Sequence, residues 1–111
     1  MKKKIPNNEI QMLRVFKQKI NLSFKSDKPN LILFGSKARG DFNSNSDLDL
    51  LVLLQKNTLK KKNLISDFAT ELALKFDIDL SPHTYSKKEF EYLSNLQTPF
   101  TQNIKKEGMR I

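Results

Sequence analysis

Leu31-Ile32-Leu33-Phe34-Gly35-Ser36 and, after ten intervening residues, Asp47-Leu48-Asp49-Leu50-Leu51-Val52-Leu53-Leu54 set the architecture. The first is a short apolar run that stops at a glycine, the pattern of a buried strand. The second places acids and leucines in alternation, then becomes wholly apolar, and is bounded by Gln55-Lys56-Asn57, which predicts a second strand over 47–54. Between them, residues 36–40 fit a helical turn and 40–46 a polar loop.

The rest of the chain reads outward from these strands. Ile10, Leu13, Phe16, Ile20 and Phe24 recur at spacings of three and four, so a helix is predicted over 7–25, with Pro6 and Asn7 at its start. Ser26-Asp27-Lys28-Pro29-Asn30 breaks it. Thr58 can cap a second long helix reaching about Lys75, with Ile65, Phe68, Ala69, Leu72 and Phe76 as its apolar face. Phe76-Asp77-Ile78-Asp79-Leu80 alternates strictly and predicts a third strand. Ser86 and Glu89 occupy capping-box positions for a short helix to about Leu96. Gly108-Met109-Arg110-Ile111 can form a last short strand. The expectation is one α/β domain over 1–111, a small mixed sheet backed by helices.

Bulk properties narrow the function. The 111 residues carry a net charge of +8, with 38% apolar and 29% charged residues. That suits a single soluble domain with no room for a second acceptor-binding domain. No apolar run approaches the ~20 residues of a membrane helix. The basic Met1-Lys2-Lys3-Lys4-Ile5-Pro6 lacks the apolar stretch of a secretory leader, so a cytoplasmic location is expected. The absence of cysteine excludes disulfides and thiolate metal sites. The positive charge serves solubility or an anionic partner. Its lysines are spread along the chain rather than gathered in an aromatic-interleaved stripe, which argues against direct nucleic-acid binding.

Side chains alternate along a strand, so Asp47 and Asp49 share one face and Leu48, Leu50 and Val52 the other. Two neighbouring carboxylates repel unless they are solvated or bind a cation. Mg²⁺ prefers hard oxygen donors, commonly one or two carboxylates with substrate phosphates. A pair of such ions can stabilise the attacking and leaving oxygens of phosphoryl or nucleotidyl transfer. If the strand at 76–80 neighbours 47–54, Asp77 or Asp79 adds a third carboxylate, able to hold the catalytic ion and take a proton from an attacking hydroxyl. Gly35 lets backbone approach a ligand, and the turn it opens offers N–H groups to an anion. Ser36 can bond a phosphate oxygen, and Lys37 and Arg39 can neutralise triphosphate charge.

Gly35-Ser36 followed at this spacing by Asp47-Leu48-Asp49 resembles the signature of the DNA polymerase β-like nucleotidyltransferase superfamily. Leu33 through Asp41 and Ser46 through Val52 are similar to its minimal nucleotidyltransferase (MNT) branch, and the similarity extends to Asp79-Leu80 and to Pro99-Phe100 through Lys106-Glu107-Gly108. The resemblance implies a short mixed sheet with the site on its open face. Gly35 and Ser36 would hold nucleotide phosphates, Asp47 and Asp49 would bind two Mg²⁺ ions, and Asp79 would be the third catalytic carboxylate. Asp77 departs from the pattern as an extra acid; Asp79 is favoured because Leu80 follows it. Many members of the branch are antitoxins that move AMP from ATP onto a tyrosine of a HEPN-type RNase toxin, and a toxin partner is expected here on that ground. A non-catalytic toxin-binding module and a small-molecule nucleotidyltransferase of the aminoglycoside type are the alternatives; the latter carries additional helical structure for its acceptor. His83, beside Pro82, has no partner at metal-ligand spacing and reads as structural. The phenylalanines fit core stripes rather than a base-stacking platform, and Asp41 reads as a loop residue.

Overall fold

The computed structural model describes residues 2–43 and 45–111. Met1, and Ser44 within the loop expected over 40–46, lie outside the described residues. The elements are α1 (Asn7–Ser23), a 3₁₀ turn (Lys25–Asp27), β1 (Asn30–Phe34), α2 (Ser36–Arg39), β2 (Leu48–Leu54), α3 (Leu59–Phe76), β3 (Leu80–Ser86), α4 (Lys87–Asn95), α5 (Pro99–Glu107) and β4 (Met109–Arg110). Among the described residues no helix is long and apolar enough to cross a membrane.

The four strands form one sheet in the order β3-β2-β1-β4. β1 pairs antiparallel with β2 and with β4, and β2 pairs parallel with β3, with α3 as the crossover. The sheet is therefore mixed, as expected. Its core face carries Leu31, Leu33, Leu48, Leu50, Val52, Leu54 and Leu80, covered by Met12, Phe16 and Ile20 of α1 and Ile65, Ala69 and Leu72 of α3. On the opposite face Ile104 of α5 meets Leu51 and Leu53, with Phe34, Tyr85, Phe90 and Phe100 packed against them. Asp49 lies on that face too, opposite Phe34.

Local chemistry explains the boundaries. Thr58 Oγ1 accepts the Lys61 N–H at the start of α3, a cap worth about 1 kcal/mol. Ser86 and Glu89 close the expected capping box, each side chain bonding the other's backbone N–H. Asp27 ties the turn after α1 to the end of β2, accepting from Lys56 N–H and from Lys61 Nζ at 2.8 Å.

Two expectations require correction. The alternating run at 76–80 is not a strand. The Leu72-Phe76 helical stripe prevails, α3 continues through Phe76, and Asp77 ends it in the left-handed region at φ 56°. The strand begins at Leu80 and continues through Pro82 and His83 to Ser86. Proline is tolerated because β3 lies at the sheet edge, where a missing N–H breaks no inner ladder. Residues 99–107 also form a helix the sequence reading passed over. Thr98 caps it, Pro99 stands in its first turn, and Phe100 and Ile104 lie one turn apart on its inner side.

Candidate active site

The antiparallel register sets Phe34 opposite Asp49, so the chain leaving β1 turns at Gly35 directly beside the Asp49 carboxylate. Gly35 has φ 77° and ψ −160°, a conformation essentially reserved for glycine. A Cβ placed there would lie 2.6 Å from Asp49 Oδ2. The glycine is thus required twice, for the turn and for the space that the carboxylate occupies. Ser36 follows as the first residue of α2.

β2 begins at Leu48, so Asp49 lies within the strand and Asp47 just before it. Leu48 and Leu50 are fully buried on the core face, Asp49 between them is half-buried on the other, and Asp47 is exposed. Burial raises the Asp49 carboxyl above its ordinary value of 3.8; His83 and Arg39 act against this and the like charge of Asp47 adds to it, leaving the balance upward. Such a carboxylate is short of positive charge. Asp47 and Asp49 together are a hard-oxygen donor pair of the kind Mg²⁺ takes alongside substrate phosphates, so the residues fit that ion.

The parallel register pairs Leu48 with Leu80 and Asp49 with Ser81, and Leu48 N–H donates to the Asp79 carbonyl at 3.0 Å. Asp79 therefore stands in line with Asp47, on the segment entering β3. Asp77 does not share a strand face with it, being the left-handed residue that ends α3. Both acids, with Glu9, Lys37 and Ser46, border a polar cleft of about 450 Å³ that Gly35, Ser36, Asp47 and Asp49 do not line. Among the described residues no three His, Cys, Asp or Glu side chains gather closely enough to hold a metal ion. Asp79 is thus brought beside the pair by the backbone, without completing a three-acid cluster.

The two basic residues part company. Lys37, expected at the phosphates, is buried. Its Nζ lies 2.7 Å from Glu9 Oε1 and 4.0 Å from the centre of the Phe42 ring. A buried ammonium needs such a partner, and α1 supplies it from twenty-eight positions upstream. Arg39 stays exposed, with Nε on Asp41 and Nη1 on Glu107, both at 3.0 Å. Its pairing with those carboxylates raises its pKa further. Asp41 is the loop residue expected, engaged by Arg39.

His83, read from the sequence as structural, faces the acids. Its Nε2 lies 3.6 Å from Asp49 Oδ1. Its ring meets Phe34 edge-on at 5.2 Å between centroids and Phe100 at 6.1 Å. No linear pattern marks it, because its position depends on the parallel register of β3.

The small mixed sheet carries Asp49 on β2, with Asp47 just before the strand and a glycine turn against the Asp49 carboxylate. The chain belongs to the nucleotidyltransferase domain family, whose profile matches residues 13–110. It is 35% identical over 103 residues, 92% of this chain and 97% of the relative, to the Methanocaldococcus jannaschii protein named "Putative protein adenylyltransferase MJ0141". Two solved structures share the fold. One is described as a toxin-antitoxin with AMP-PNP, with TM-score 0.59 and 21% identity, spanning 95% of this chain and 72% of that one. The other is a mutant form of the toxin-antitoxin MntA-HpeT, with TM-score 0.52 and 22% identity, spanning 86% of this chain and 70% of that one.

Proposed function

We propose that this nucleotidyltransferase moves AMP from ATP onto an acceptor hydroxyl, a tyrosine of a HEPN-type toxin, and acts as that toxin's antitoxin in the cytoplasm. The observation that carries the reading is the approach of the Gly35 turn to Asp49, a carboxylate able to hold a divalent ion. The near full-length similarity to a protein named an adenylyltransferase supports a protein acceptor. The fold shared with toxin-antitoxin chains supports the toxin partner.

In this reading Gly35 and Ser36 cradle the triphosphate. Asp47 and Asp49 would hold Mg²⁺, with Asp79 as the third carboxylate. Bound Mg²⁺ supplies charge stabilisation for the phosphates and a lowered pKa for a ligated hydroxyl. Asp79 would take the acceptor's proton, and Arg39 would reach phosphate by exchanging Asp41 or Glu107 for it. Lys37, buried against Glu9, serves the core in this reading.

The test incubates the protein with α-labelled ATP, Mg²⁺ and the toxin encoded beside it. Label is expected on a toxin tyrosine, with pyrophosphate released. Absence of transfer, or transfer undiminished in the Asp47→Asn, Asp49→Asn double variant, would sink the proposal.

A further inference from the structure

Asp49 has a close neighbour at each of its oxygens, and the proposed reaction explains only one of the two. Oδ2 sits against the Gly35 turn, where a Cβ would come within 2.6 Å of it. Oδ1 faces His83 Nε2 at 3.6 Å. The last torsion of an aspartate is broad, so the carboxylate plane is poorly set by the side chain itself. Two neighbours from different strands flank it: the backbone leaving β1 and an imidazole on β3.

The imidazole is in turn held. His83 pairs with Leu51, two residues beyond the Ser81 that faces Asp49, and strand alternation puts it on the acid face. Phe34 packs against its ring at an interplanar angle of 63°, and Phe100 of α5 closes the other side. The ring is thus fixed by β1 and α5 while its Nε2 looks toward the acid. Ligating carboxylates are commonly oriented by an outer partner of this kind, and loss of that partner typically weakens metal affinity or activity about 10–100-fold.

We propose that His83 is a positioning residue that fixes the Asp49 carboxylate against Gly35 in the orientation that receives a divalent cation. The inference rests on the reading of Asp49 as a cation ligand. It makes the sheet's aromatic end, Phe34 and Phe100, part of the support of the site rather than a separate patch of core.

The test measures Mn²⁺ binding to the full chain by electron paramagnetic resonance, without nucleotide, beside thermal unfolding of the metal-free protein. His83→Phe keeps a ring between Phe34 and Phe100 but has no N–H. His83→Met and His83→Gln have matched length, and only Gln offers a donor near the position of Nε2. The expected result is Mn²⁺ affinity about 10–100-fold weaker in the Phe and Met variants, with most of the loss recovered by Gln. The Phe variant should unfold at the wild-type midpoint. Wild-type Mn²⁺ affinity in the Phe and Met variants, or Gln no better than Met, would overturn the proposal. Unfolding of all three variants would assign the ring to packing and overturn it too. Wild-type protein that binds no Mn²⁺ in an Asp49-dependent way would remove both this inference and the proposed site. Intact Mn²⁺ binding without adenylyl transfer would remove the proposed function alone.

Discussion

Replacing Gly35 by alanine tests the architecture at its tightest point. Gly35 occupies φ 77°, ψ −160°, where a side chain costs about 1–3 kcal/mol of backbone strain. The new methyl would also lie 2.6 Å from Asp49 Oδ2, so the carboxylate must retreat by about 0.8 Å to reach the 3.4 Å at which ordinary contact begins. A displacement approaching 1 Å in a reacting group costs about 10²-fold in rate. The strain alone lowers the unfolding midpoint by roughly 4–12 °C for a domain of this size. The two effects separate in a paired experiment, in which adenylyl transfer is measured well below the variant's melting temperature, beside Gly40→Ala. Gly40 also has positive φ, at 81°, but its added methyl would meet the side chain of Lys2 at 2.9 Å. Gly40→Ala should therefore lose about 1–2 kcal/mol of stability and keep its transfer rate. A folded Gly35→Ala protein that transfers at the wild-type rate would refute the placement of Asp49 against the nucleotide turn. Equal loss of activity in both variants would reduce the effect to stability.

Other perturbations have defined signs. The raised carboxyl of Asp49 means that its ionisation opposes folding: the stability it contributes is complete below pH 3.8 and lost as pH rises through the folded value. Asp49→Asn should therefore raise the melting temperature of the metal-free protein at neutral pH while abolishing transfer, and calorimetry showing a destabilised variant would contradict this. Asp27 behaves oppositely. Burial alone would raise its carboxyl, but hydrogen bonds from Lys61 and the Lys56 N–H, with the charges of both lysines, hold it below 3.8. Its stabilisation is present above pH 3.8 and lost as pH falls through the folded value, so denaturant titrations of Asp27→Asn should show lower stability at pH 7 and a flatter acid limb. Lys37→Met strands Glu9 in the core and should cost about 3–5 kcal/mol, with most of it restored by adding Glu9→Leu. The KM for ATP of that double variant should match wild type; a rise of tenfold or more would return Lys37 to the phosphates.

Much of the molecule was readable without coordinates, and what escaped has identifiable causes. The helical stripes of α1 and α3, the caps at Thr58 and Ser86, and the β1-turn-β2 unit all follow from contacts a few residues apart. The third strand was displaced because Phe76-Asp77-Ile78-Asp79-Leu80 satisfies a period of two over five residues, while the helix ending there satisfies its own period over eighteen. Pro82 then disguised the real strand, since only its place at the sheet edge makes a proline acceptable there. The helix at Pro99–Glu107 carried a cap, a first-turn proline and one apolar pair, too little amphipathic length to declare itself.

The sequence by itself determined the acid pair and the glycine turn. Alternation read from the sequence predicts that Asp47 and Asp49 share one face, and the break after Phe34 needs a glycine; both readings rest on adjacent residues. Which other groups reach that pair depends on strand register and on helices packed from distant segments. Only the tertiary structure brought Gly35 against Asp49, set Asp79 in line with Asp47 while leaving Asp77 at a helix end, turned Lys37 inward to Glu9, and carried His83 to the acid face. The physical reason is that burial and charge pairing act through space. A lysine two residues after the glycine looks like a phosphate ligand until a carboxylate on another helix supplies the partner that its burial demands.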